Sequence, residues 1–198
     1  RAGVDAIERI VSEEKIECGF VRLDGWWVPS TEGAKEQIDA EFGAARRAGL
    51  TDVELVENHP LAGKFAGSAL RFPQQAQFHV LRYMVGLAEA VRRGGGRIVT
   101  GAHVETVDDA TEEAGSCTVH LDDGRTVRAS QVVVATNSPI IDRVAMHTKQ
   151  AAYRSYVIAA RVAAGEVPPG LFWDTDNPYH YVRLLDGPLA APGMSDVL

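Results

Sequence analysis

Apolar residues recur at helical spacing in three stretches of the chain. Val4, Ile7 and Val11 share one face, which predicts a short amphipathic helix over 3–14. Ile38, Phe42 and Ala45 do the same within 31–48, and Gly49 stands where a helix would stop. After Pro73, the stripe Phe78, Leu81, Val85, Ala88 and Val91 predicts a longer helix. It ends at Arg92 and Arg93, whose cations suit the negative end of the dipole, and at Gly94-Gly95-Gly96. Elsewhere the pattern shortens to that of strands. Ile16–Leu23 and Trp26–Pro29 flank Asp24-Gly25, a pair that predicts a tight hairpin turn, with Pro29 closing the second strand. Segment 50–75 is punctuated by Pro and Gly and reads as loop with a brief strand at 69–72. Arg97–Thr100 predicts a strand. His103–Val107, Cys117–Leu121 and Thr126–Arg128 predict a meander with a second Asp-Gly turn at Asp123-Gly124. Gln131–Ala135 is a continuous apolar run, as in a parallel strand buried on both faces, and 98–100 is its expected parallel neighbour. Ser138-Pro139 offers an N-cap and first turn for a short helix over 139–146. Alternation returns over 152–162, followed by strands at 171–173 and 179–185. The Pro-, Gly- and Ala-rich tail 186–198 is expected to be irregular. This order gives an α+β fold.

Composition narrows the function classes. The 198 residues carry a net charge of −7, which lacks the cationic footprint of a nucleic-acid binder. No apolar run reaches membrane-spanning length and no signal peptide opens the chain, so a cytoplasmic protein with no membrane partner is expected. Cys18 and Cys117 are isolated, without the CxxC or CxH spacing of a zinc or iron–sulfur site, so no metal is expected. The chain opens at Arg1 without Met, and a longer parent is expected.

The candidate chemistry falls in two places. The first is the segment 97–139, where small residues at 135–138 follow the valine run. In open parallel sheets, ligands collect beyond such strand ends. The glycines at 94–96 follow a helix and precede a strand, the reverse of a phosphate cradle, and no GxGxxG or Walker pattern occurs. The second is aromatic and basic: Tyr153, Arg154 and Tyr156, then Trp173, Tyr179, Tyr181 and Arg183. On a strand, Tyr179, Tyr181 and Arg183 share a face, and an Arg among tyrosines suits a carboxylate-bearing ligand. Trp26 and Trp27 read as core. The six histidines are scattered without HExxH spacing, and there is no GxSxG, which leaves a hydrolase little support. Asp108-Asp109 and Asp122-Asp123 fall at turns, as solvated charge.

Residues 119–139 run VHLDDGRTVRASQVVVATNSP, a strand, an Asp-Gly turn and an apolar strand that ends in small residues. With the upstream RFPQQAQFHVLRYMVGLAEAVRRGGGRIVTGAHVETV, it resembles FAD-dependent oxidoreductases of the D-amino-acid oxidase, glycine oxidase and sarcosine oxidase type. The likeness is nearest to members with an added Rieske domain and covers about residues 1–185. It implies an antiparallel-sheet substrate lobe plus a partial FAD-binding lobe with parallel strands and a β-meander. The expected division is 1–73 and 149–185 for the substrate lobe, 74–148 for the FAD lobe, and 186–198 as irregular tail. The resemblance implies that Val104 flanks the adenine and that Ala135, Thr136 and Asn137 lie beside the ribose and pyrophosphate of FAD. Tyr181 and Arg183 would anchor a small-molecule substrate, and His79 would lie near the flavin-facing region. The family's GxGxxG, its flavin-closing C-terminal segment and the Rieske Cys-x-His pairs do not occur in these residues. The expected parent is an FAD-dependent oxidoreductase acting on an amine or amino-acid-like substrate by hydride transfer to flavin, with an iron–sulfur domain or electron-transfer partner. This chain alone is expected to be inactive and to bind FAD weakly, and no catalytic base is assigned. The alternatives are a flavin enzyme of similar fold using NAD(P)H, or a non-catalytic remnant serving as an interaction module.

Overall fold

The computed structural model describes residues 2–30, 34–65, 67–111, 115–137, 151, 153–163, 165–185 and 194–197. In chain order its elements are α1 (Ala2–Glu13), β1 (Val21–Val28), α2 (Lys35–Arg47), β2 (Glu54–Val56), β3 (Ala69–Gln77), α3 (Val80–Arg93), β4 (Val104–Asp108), β5 (Cys117–Leu121), β6 (Thr126–Ala129), β7 (Ala160–Ala163), β8 (Leu171–Asp174), β9 (Tyr181–Leu185) and β10 (Met194–Val197). The chain forms two compact units, Arg1–Gly94 with Tyr156–Leu198, and Gly95–Ser155. The α+β class stands, and the two compact units divide at 94/95 and 155/156.

The first unit is built on a mixed sheet of order β2-β3-β1-β8-β9-β10-β7. Its centre is β1, antiparallel to β3 and parallel to β8. Alternation along β1 sends Trp26 and Val28 to one face and Gly25 and Trp27 to the other. Trp26, Val28, Ala69 and Phe172 form a core on the first face with Leu61 and Phe65. On the opposite face, α2 lays Ile38 and Ala45 over Leu70 and Val53, with Trp27, Phe42 and Phe72 at the margin. Helix α2 stops because Gly49, at φ +87°, reverses the chain. Its N–H donates to the Arg46 carbonyl and that of Leu50 to the Ala45 carbonyl, which satisfies the last turn.

Asp24-Gly25 is not a hairpin. β1 runs through it, and the register slips there against β3. Pro73 and Gln74 oppose the single residue Asp24, and Gln74 takes φ +59°. This is a bulge, one of the few places inside a sheet where a proline does not break the ladder. Strand β3 therefore extends through Pro73 to Gln77, and the following helix begins only at Val80, leaving Phe78 outside it. His79 caps that helix, its ring Nδ1 accepting from the Arg82 N–H at 3.3 Å.

Helices α1 and α3 enclose a third cluster of Ile16, Cys18 and Tyr83, with Ile10, Val11 and Leu87. This packing is why α3 groups with the first unit. Gly86 lets the helix approach: a Cβ there would lie 2.6 Å from Cγ2 and 2.7 Å from Cγ1 of Ile16. The other stripe of α3, including Leu81, Met84, Val85 and Val91, is between 47% and 68% exposed.

The C-terminal expectations change in two places. Of the alternating run 152–162, only the end enters a strand, β7, while Tyr153, Tyr156 and Ile158 stand in solvent. The tail is not wholly irregular, since β10 inserts between β9 and β7. Backbone hydrogen bonds recruit this strand without any apolar alternation in its sequence. The second unit holds the expected meander β4-β5-β6, with Gly124 at φ +81° in the Asp123-Gly124 turn. Residues 97–100 and 131–135, however, are not strands, and Val133 is 88% exposed. A parallel strand needs ladder partners and cover on both faces, and the described residues give these two segments neither. The helix expected at 139–146 lies outside the described residues.

Two predictions follow from packing and burial. Gly86→Ala should destabilise the chain by about 1–3 kcal/mol in urea unfolding, because overpacking against buried Ile16 exceeds the roughly 1 kcal/mol gained in helix propensity. Ile16→Ala should relieve part of that penalty in a double-mutant cycle. His59, 3% exposed, accepts the Leu61 N–H at Nδ1 (3.3 Å) and so donates from Nε2 to the Phe65 carbonyl (3.0 Å). Burial lowers its pKa, and backbone carbonyls oppose the shift. With the folded value below the unfolded value of about 6.5, the unfolded chain binds the extra proton. Stability should be fully present above that pH and fall as the pH drops below it. His59→Gln should flatten this slope in urea titrations at several pH values.

Candidate functional site

Where β1, β8 and β9 meet the edge of α2, the sheet opens into a cleft of about 630 Å³. Its floor is aromatic. Trp27 and Trp173 stand side by side in the parallel ladder, and Trp173 lies 5.5 Å from Phe72, ring centre to ring centre. The Trp27 indole N–H donates to the Asp174 carbonyl at 2.8 Å, which fixes the ring. Gly25 leaves room for the second indole: a Cβ at this position would lie 3.1 Å from the Trp173 ring. Tyr179 and Tyr181 form the far wall, and Gln37 and Glu41, one turn apart on α2, form the rim.

The loop 174–180 holds the tyrosines in place. The nearly buried Asp174 carboxylate accepts the backbone N–H groups of Asp176 (3.1 Å) and His180 (3.0 Å) on Oδ1, and the His180 ring at 2.7 Å on Oδ2. Asp176 accepts from the Ser30 hydroxyl, which ties the loop to the end of β1. Ligand atoms of Asp174, Asp176 and His180 lie within 4.8 Å of one another, close enough to hold a cation. Their mutual hydrogen bonds already account for the arrangement as a turn.

Tyr181 therefore lines the cleft. Burial raises its phenol pKa, and the nearby Arg183 charge opposes that shift. Arg183 follows two residues later on the same face of β9, opposite Leu171. Tyr153 and Tyr156, grouped with them in sequence, are both 91% exposed and outside the cleft. Val104, Ala135, Thr136 and Asn137 belong to the other unit. Val104 opens β4 opposite Leu121, while Ala135–Asn137 is exposed and outside any strand, with Asn137 at φ +61°. Sequence reasoning missed Trp27, Phe72, Gln37 and Glu41 as site residues. The i, i+4 spacing of Gln37 and Glu41 on the polar face of α2 was the available signal.

Residues 1–196 match the family described as FAD dependent oxidoreductase. The chain is 28% identical over 178 residues to the Rieske 2Fe-2S iron-sulfur protein YhfW of Bacillus subtilis (strain 168), covering 88% of this chain and 33% of that protein. Among solved structures, the L-proline dehydrogenase of P. horikoshii aligns with a TM-score of 0.65 at 11% identity, over 98% of this chain and 52% of that one. The glycine oxidase of Geobacillus kaustophilus aligns at 0.63 and 15% identity, over 98% and 51%. At these identities the structural likeness is one of fold. The chain spans about a third of the curated relative, and about half of each of these two structures.

Asp174→Ala should cost about 1 kcal/mol, because two part-buried backbone N–H groups and the His180 ring lose their acceptor. Urea unfolding gives the stability change. Loss of tryptophan anisotropy at Trp173 would report the loosened wall.

Proposed function

The chain belongs to the FAD dependent oxidoreductase family, and from that premise we propose that it supplies the substrate lobe and part of the flavin lobe of a longer enzyme. That enzyme oxidises an amine or amino-acid-like substrate. The observation that carries the reading is Tyr181, half-buried on the wall of an aromatic cleft with Arg183 beside it on the same strand face. In this reading Arg183 receives the substrate carboxylate bidentately and Tyr181 adds a hydrogen bond. The aromatic floor orients the remainder and excludes water.

FAD, when bound, accepts the hydride. Val104 and Ala135–Asn137 are proposed to lie along its adenosine half, with small side chains at 135–137 allowing close approach. The unpaired valine run Val132–Val134 supports this placement, since it is proposed to find ladder partners elsewhere in the parent. The likeness to a Rieske protein supports an iron–sulfur domain in the parent, which we propose as a route for electrons leaving the flavin.

The full-length parent should purify with flavin absorbance and reduce it on addition of an amino-acid-like substrate. Arg183→Gln should leave flavin content unchanged and raise KM about tenfold to a hundredfold, the equivalent of losing one charge-assisted hydrogen bond of about 1.5–3 kcal/mol. A parent that carries no flavin and takes none up would overturn the reading.

A further inference from the structure

The mixed sheet has a gap one strand wide. β10 lies between β9 and β7 and runs antiparallel to both. Asp196 and Val197 face Leu185 and Leu184 on one side, and Met194–Val197 face Ala163–Ala160 on the other. Both neighbours continue past the level of Val197. β9 reaches back through Arg183 and Val182 to Tyr181, and the chain just ahead of β7 carries Ile158, Val157 and Tyr156. Resting on the reading of this chain as part of a longer enzyme, we propose that the segment following Leu198 in that parent continues β10 into the gap. It runs there as a strand between the Tyr181–Val182 end of β9 and Tyr156–Ile158.

Three observations lead there. The first is register. In an antiparallel pair, each step forward on one strand is a step back on its neighbour. Carried past Val197, the first residue after Leu198 falls between Val182 and Ile158, and the second between Tyr181 and Val157. The third meets His180, whose N–H already donates to Asp174 Oδ1 at 3.0 Å, so the ladder on the β9 side has its natural end there. The second observation is composition. Tyr156, Val157 and Ile158 are between 73% and 91% exposed. Aromatic and β-branched residues suit a pleated, half-buried surface, and an edge of them without charge or proline is a template for pairing. The third is the accounting of main-chain groups. Tyr181, Val182 and Arg183 pair with β8 along one side of β9. On the other side, among the described residues, β9 pairs with β10 only at Leu184 and Leu185. A strand laid in the gap gives partners to both edges at once. The continuation of β10 is already in register at Val197 and adds its pairs one at a time, whereas a second copy would bear the entropy of association as well. The second residue after Leu198 then shares a sheet face with Tyr181, so the parent's own chain borders that wall of the cleft.

Hydrogen exchange read by mass spectrometry compares the full-length parent with this chain, with no substitution in either. Peptides covering Tyr156–Ile158 and Tyr181–Val182 should both exchange at least about a hundredfold more slowly in the parent, as interior ladders do relative to open edges. Equal exchange in the two proteins, or protection of one edge alone, would overturn the insertion. Disulfide trapping in the parent reads the register. Val157→Cys, combined with a cysteine at the second position after Leu198, should link within one molecule, because directly opposed strand residues lie about 4.5–5.5 Å apart. Moving the second cysteine one position onward turns it to the other face and should abolish the link. Absence of the first link, or a link between two copies, would overturn the proposal. Flavin content of the same preparation is read separately. A flavin-loaded parent without the link overturns this inference alone. A flavin-free parent with the link overturns the redox reading and supports the strand.

Discussion

The parallel ladder between Gly25–Val28 and Leu171–Asp174 joins segments from opposite ends of the chain, and the architecture of the first unit follows from it. Its other strand pairs form between elements closer in sequence. This one must be closed against the entropy of the long intervening segment. Side chains fasten it at one end, where the Trp27 indole bonds to the Asp174 carbonyl and Ser30 meets Thr175 and Asp176. Without the ladder, Trp27 and Trp173 would not share a wall, strands β8, β9, β10 and β7 would lose their link to β1, and Tyr181 would have no cleft to line.

The same ladder separates two kinds of surface. One face of the sheet is sealed by apolar side chains, with Phe172 and Val28 each 2% exposed. The other is sealed by α2 only over Leu70 and Val53, and is left open toward β8 and β9. Helix α2 does both jobs with one amphipathic pattern. Its apolar stripe covers the sheet, and the polar residues at the border of that stripe furnish the rim of the opening. Binding chemistry therefore sits where the packing layer runs out.

Much of the fold was legible because it is local. The helices α1, α2 and α3 lie within a few residues of where their stripes put them, and the Asp123-Gly124 turn is where its dipeptide places it. The other Asp-Gly pair shows the limit. Asp24-Gly25 carries the same local signal, but its outcome was set by β3, which brings Pro73 and Gln74 opposite and absorbs the irregularity as a bulge. Residues 97–100 and 131–135 fail for a related reason, since β-branched composition prepares a strand without supplying its partners. At the site, Tyr181 and Arg183 could be read from period-two alternation, and the structure puts Tyr181 on the cleft. Trp27, Phe72 and Glu41 could not, because what unites them is a register between distant strands and the angle of one helix. Tyr153 and Tyr156 misled for the opposite reason, having composition without a ladder.

Gly25 and the Trp173 indole occupy one shared volume, although neither residue is near the other along the polypeptide. That shared space couples their evolutionary freedom. A lineage that gains a methyl at the first position must shrink or tilt the ring at the second, and a lineage that loses the ring releases the glycine. Across relatives of this chain the two positions should covary, and a cleft reshaped for a different molecule would carry its record at both.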